Sequence, residues 1–209
     1  MRNFAKPYLL VWVSTFCGCS DTPQRVHPPS IDADAAGLAA VEQYDSSGDG
    51  KIDADELGRT PSLRRALGRL DTDNDGAVSA AEISARIRNW QESKIGLTQV
   101  SCQVNYNGQP LQGATITFEP EEFLGGSIKA CAGKTGKEGN TMLSIPGGLH
   151  DSPGGAAGLP GGAPGFYRIK ITSPDIELPA KYNTDTVLGA EIANDAESVM
   201  LGVLLELSK

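Results

Sequence analysis

The sequence predicts an α+β protein in two domains, a helical pair of acidic loops followed by an antiparallel β-sandwich. Three observations carry this. Two twelve-residue acidic segments, 45–56 and 71–82, stand between stretches whose apolar residues recur at helical spacing. Beyond residue 97 the pattern changes to alternation of apolar and polar residues, as in half-buried strands. Turn signals such as Asn107-Gly108 then separate the alternating runs.

Composition sets the outer limits. At 209 residues and 39% hydrophobic, the chain can bury one large core or two small ones. A net charge of −8 is the wrong sign for a phosphate-binding surface and argues against nucleic acid. Much of that charge is concentrated in the two acidic segments.

Residues 1–19 read as an export signal. Arg2 and Lys6 precede a mostly apolar run from Tyr8 to Phe16, too short to span a bilayer as a helix. The run ends in Phe16-Cys-Gly-Cys19, which resembles the bacterial lipobox. That resemblance implies lipidation of Cys19 and a membrane anchor at the cell envelope. Phe16 and Cys17 depart from the usual pattern, and an ordinary secretory signal is the competing reading. Cutting before Cys19 removes Arg2 and Lys6 and takes the net charge from −8 to −10. Residues 20–30, with three prolines, read as an extended tether, and His27 within it as a solvated residue.

A helix over about 31–44, capped by Ser30, is expected to present Leu38, Val41 and Tyr44 on one face. It leads into the first acidic segment. There Asp45, Ser47 and Asp49 offer side-chain oxygens, Lys51 its carbonyl, Asp53 a further oxygen and Glu56 a two-oxygen clamp. Gly50 supplies the sharp turn. The exit helix must end near Arg59, because Thr60-Pro61 starts another, with Leu63, Leu67 and Leu70 on one face. The second segment repeats the pattern with Asp71, Asp73, Asp75, the Ala77 carbonyl, Ser79 and Glu82. Ile52 and Val78 occupy the same position in the two segments and are expected to pair across a short strand contact. Ile83, Ile87 and Trp90 then repeat at helical spacing.

Over residues 31–92 this pattern resembles the EF-hand family, and the resemblance implies two Ca²⁺ sites. The first residues of the loops, Asp45 and Asp71, stand 26 positions apart, closer than in most EF-hand pairs. A dockerin-like arrangement that recruits a protein partner is the competing reading, although the glutamates at the twelfth positions speak for EF-hands. Arg59, Arg64, Arg65, Arg69, Arg86 and Arg88 are expected on a solvated face balancing the acidic loops.

After a hinge over 91–96, residues 97–209 are expected to form the sandwich. Its strands would carry Val100, Cys102, Val104 and Tyr106; Ala114, Ile116 and Phe118; Thr141, Leu143 and Ile145; Tyr167, Ile169 and Ile171; and a long last strand from Val199 to Leu207. The stretches 106–118, 135–139 and 164–170 make this part similar to transthyretin-like, carboxypeptidase-regulatory-like domains of surface lipoproteins. That similarity implies a non-catalytic module with a structural, adhesive or binding role. Residues 146–165, with eight glycines and four prolines, read as a flexible loop, which includes His150 and Asp151. Cys102 and Cys131 are open to pairing in an oxidising compartment, although the strand parity of Cys131 argues against it.

No histidine accompanies a serine or cysteine nucleophile, and no zinc spacing is present, so an enzyme is not expected. Two readings stand. One is a membrane-tethered calcium-binding lipoprotein with a supporting β-domain. The other is a calcium-gated interaction module whose groove is lined by Leu38, Leu67, Ile87 and Trp90. No partner beyond calcium, the membrane and an unidentified protein or glycan is implied.

Overall fold

A computed structural model describes residues 26–147, 158–200 and 202–209. The export segment with Cys19, the first part of the tether and the middle of the Gly/Pro-rich loop lie outside the described residues. Among the described residues, no helix is long and apolar enough to cross a membrane.

Helix α1 spans Ala33–Tyr44 and is capped by Asp32, whose carboxylate accepts from the Ala35 amide at 3.1 Å. This corrects the expected cap. Ser30 lies outside the helix, and its carbonyl accepts from the Ser127 hydroxyl instead. The expected apolar stripe also changes. Leu38 is 66% exposed, and the buried face is made of Ala33, Ala36, Gly37, Ala40 and Tyr44.

Small residues are needed there because α1 lies tight against helix α3, Ala80–Glu92. A Cβ on Gly37 would stand 2.3 Å from the Ala80 carbonyl oxygen and 2.5 Å from the Ser84 hydroxyl. Ser84 itself donates to the Ala33 carbonyl across the contact, at 2.9 Å. Gly37→Ala therefore sets a gain of about 1 kcal/mol in helix propensity against an overpacking cost of about 1–3 kcal/mol. The backbone clash wins, and a net loss of up to about 2 kcal/mol is expected in a urea unfolding curve. A stabilised Gly37→Ala variant would refute the tight α1–α3 contact.

Between α1 and α3 lie strand β1 (Lys51–Ile52), a single 3-10 turn at Glu56–Arg59, helix α2 (Pro61–Leu70) and strand β2 (Val78–Ser79). The short exit turn and the proline start of α2 are as the loop spacing requires. Strands β1 and β2 pair antiparallel, with Ile52 opposite Val78, as expected. Leu63, Leu70, Ile83, Ile87 and Trp90 are buried, whereas Leu67 is only partly so.

Among the described residues, the rest of the chain forms two four-stranded sheets. In one, β3 (Ser101–Tyr106) lies between β10 (Val203–Leu207) on one side and β4 (Gln109–Pro110) and β7 (Asn140–Met142) on the other. In the other, the order is β6 (Cys131–Lys134), β5 (Thr115–Pro120), β8 (Gly165–Thr172) and β9 (Gly189–Ile192). Asn107 and Gly108, with φ of 51° and 74°, make the two-residue turn joining β3 to β4.

Two strand expectations are corrected. β10 runs parallel to β3, with Leu205 beside Val104, so the β-part is not wholly antiparallel. The last strand is also shorter. Val199 belongs to one helical turn, α4 (Glu197–Met200), and Gly202 at φ 76° redirects the chain into β10. The Gly/Pro-rich stretch is corrected at its far end: Pro160 bridges to Ser144, Gly162 bridges to Thr98, and Ala163 is buried. The near end of the tether is likewise packed, since Pro29 is buried and the His27 carbonyl lies against Gly96.

Cys102 and Cys131 are free and buried. Burial pushes each thiol up to about 12. The parity argument against Cys131 fails because residues 128–130 are not a continuous strand, so Ile128 and Cys131 both turn inward.

The helical and β parts share one buried cluster running from Ile31 to Leu207. Helix α3 continues through Gln91 and Glu92, which trims the expected hinge. Trp90 packs edge-on against Phe166 at 4.7 Å. The start of α2 sits against Gly189 so closely that a Cβ there would meet the Ser62 amide at 2.3 Å. Two buried polar joints cross the same boundary. Glu121 accepts from Ser62, Tyr44 and Arg168, and Arg86 donates to Glu191 and Asp195.

Candidate metal centre

Each acidic loop begins where a helix ends. Asp45 and Asp71 are the residues that close α1 and α2, and their amides still bond to Val41 and Leu67. The chain then turns through two left-handed positions in each loop. These are Gly48 and Gly50 in the first and Asn74 and Gly76 in the second. Glycine at the second of these was legible in the sequence. The first is taken by glycine in one loop and asparagine in the other, both of which tolerate this region.

The loop carboxylates are turned inward and accept from loop amides. Asp45 takes Gly48 and Gly50, at 2.6 and 2.8 Å, and Asp71 takes Asp75 and Gly76, at 3.1 and 3.0 Å. Asp49 accepts from the Lys51 amide, and Asp75 from that of Ala77, each at 2.9 Å. At the ninth position Asp53 accepts from the Glu56 amide, and Ser79 accepts from that of Glu82. Ser79 and Glu82 thereby form a reciprocal capping box that starts α3. Ser47 lies beside Asp45, donating to it at 3.1 Å.

The closing glutamates have a support that the sequence reading missed. Ser46 donates both its amide and its hydroxyl to one oxygen of Glu56. Thr72 does the same for Glu82. The available signal was a hydroxyl residue at the second position of both loops. Arg59 adds a further tie to the first loop, donating to the Tyr44 carbonyl and the Ser46 hydroxyl.

These contacts favour the ionised form of Asp45, Glu56, Asp75 and Glu82. Amides of Gly50 and Gly48 hold Asp45 below the ordinary range, and those of Asp53 and Ser47 do the same for Glu56. Lys51 is the main cause of the lowering at Asp75. For Glu82, burial pushes upward, but the bonds from Ser79 and Thr72 outweigh it. An array of anionic oxygens with glycine bends suits a hard divalent cation.

The two loops differ in how closely their oxygens converge. Among the described residues, one group of three potential metal ligands comes together, in the second loop. There an oxygen each of Asp71, Asp73 and Glu82 lies within 4.8 Å of the others. Of the remaining expected ligands, Lys51 sits on β1, opposite Ser79 on β2.

The residues expected to line a calcium-gated groove do not form one exposed surface. Leu38 is exposed and Leu67 half-buried, while Ile87 and Trp90 are buried in the shared core. Nor are the arginines a uniformly solvated face. Arg86 is buried, Arg64 donates to the Val187 carbonyl, and Arg65 pairs with Glu197.

The family model for the EF hand matches residues 40–59 and 63–85, one loop with its flanks in each match. These segments are therefore similar to EF hands, and the similarity supports calcium as the ligand. No curated protein and no solved structure matches the chain.

Proposed function

We propose that the chain is a calcium-binding protein of the cell envelope, in which an EF-hand pair is built onto a transthyretin-like β-sandwich of structural or adhesive role. The observation that carries this reading is the repeated loop geometry. Both loops place their acidic residues on the same turn, bend at the same two positions and hold the closing glutamate by the same hydroxyl contact. One ion per loop is the reading that the full donor sets at 45–56 and 71–82 favour. Anchoring rests on Gly18-Cys19 after the apolar run, and the β-part is read as non-catalytic.

Calcium has a structural rather than a gating role in this reading. Trp90 and Ile87, which a gated groove would expose, are locked into the core shared with the β-part. The test is thermal melting of the exported form with calcium and with chelator. At a calcium concentration a hundred times Kd, each site adds about 2.7 kcal/mol, or about 5–10 °C in Tm for a chain of this size. A single transition should move as a whole, and a Glu56→Gln, Glu82→Gln double variant should lose the shift. A midpoint indifferent to calcium would defeat the reading.

A further inference from the structure

Lys51 serves the first loop through its backbone, which leaves its side chain free to act elsewhere. That side chain crosses to the second loop. Its ammonium pairs with an Asp75 carboxylate oxygen and stands 3.6 Å from Asp73 Oδ2. Asp73 and Asp75 are the third- and fifth-position oxygen donors of the second loop.

No reciprocal contact exists among the described residues. Asp45, Asp49, Asp53 and Glu56 are in no ion pair there, and Lys51 is the one cationic side chain paired with a second-loop carboxylate. The antiparallel pairing of β1 with β2 fixes Lys51 opposite Ser79 and holds its stem beside the second loop.

We propose that the Lys51 ammonium is a built-in competitor for the second calcium loop, so that the two loops bind calcium with unequal affinity and the second more weakly. This rests on the calcium reading above. A calcium ion entering the second loop must take over the Asp73 and Asp75 oxygens, and the ammonium must leave them for water. In the first loop the ion needs the Lys51 carbonyl only, and no cation has to move. The metal-free protein gains from the arrangement as well, because one positive charge relieves the crowding of Asp71, Asp73, Asp75 and Glu82.

Calorimetric titration of the full chain with Ca²⁺ tests this. Wild-type protein should show two unequal sites. Lys51→Gln should tighten the weaker one about two- to fivefold, the range expected for a part-exposed ion pair. Lys51→Arg, which keeps the charge, should leave it within about twofold of wild type. Lys137→Gln, which removes an equal charge from an exposed turn of the β-part, should leave both affinities unchanged. Calcium uptake by wild type with no tightening in Lys51→Gln overturns the competitor role. Equal tightening in Lys137→Gln overturns it too, since the effect would then be one of overall charge. No uptake by wild type overturns the calcium reading and this inference with it.

Discussion

Arg86→Met is expected to destabilise the folded chain by about 3–5 kcal/mol, the range for breaking a buried ion pair from one side. The guanidinium donates to Glu191 at 2.6 Å and grips Asp195 through two parallel bonds of 2.9 and 2.7 Å. Glu191 is 3% exposed, and its second oxygen has no hydrogen-bond partner among the described residues. Without Arg86 its charge would keep only the Trp90 indole, which donates at 2.9 Å. Methionine fills similar volume, so the loss measures charge rather than a cavity. Urea unfolding of the single variant and of Arg86→Met, Glu191→Gln separates the two. The double variant should recover most of the loss, because no unpaired buried charge remains. If both variants unfold alike, the buried charge is not the cause.

The same joint has an acid limb. Arg86 bonding holds the Asp195 carboxyl below its ordinary range. A depressed folded-state value gives stability that is full above the unfolded value and lost as the pH falls through the folded one. That acid-side loss should be smaller in Arg86→Met, which has already given up the contact.

Glu121→Ala is expected to cost about 3 kcal/mol, as for removing one partner from a buried, hydrogen-bonded charge. Glu121 is 2% exposed and gathers three donors from both parts of the chain. Ser62 donates at 2.6 Å, Tyr44 at 2.9 Å and Arg168 at 3.1 Å. The loss falls at the lower end of the range because Arg168 is partly exposed and can turn to water. A spectroscopic titration gives an independent readout. Burial, and after it the Glu121 charge, raises the Tyr44 phenol from 10.0 to about 12. A raised folded-state value gives stability that is full below the unfolded value and lost as the pH rises through the folded one. In the wild type that loss falls between about pH 10 and 12. In Glu121→Ala the phenol should titrate lower, and an unmoved titration would remove Glu121 from the joint.

What could be read in the sequence was local. The twelve-residue loops, the pairing of Ile52 with Val78, the short turn before Thr60-Pro61 and the strand starting at Ser101 all depend on spacing within a few turns of chain. The misreadings needed knowledge of a neighbour. Leu38 looked like core because it has the right period. The α1 surface is instead chosen for closeness to α3, where alanine and glycine fit and leucine does not. Arg86 looked like one of several solvated arginines, and only the placement of Glu191 and Asp195, more than a hundred positions later, buries it. The direction of β10 was hidden for a similar reason. Alternation tells which residues face inward but says nothing of whether the partner strand runs the same way. Lys51 was read for its carbonyl, and its reach into the second loop follows from the β1–β2 register.

Strand β3 lies inside its sheet, with β4 and β7 on one side and the much later β10, 203–207, on the other. That edge therefore stays open until β10 has been synthesised. An unpaired edge of this kind is sticky, and contacts of such long sequence separation form slowly. A chain made only as far as β9 therefore cannot complete this sheet, whose central strand waits for β10.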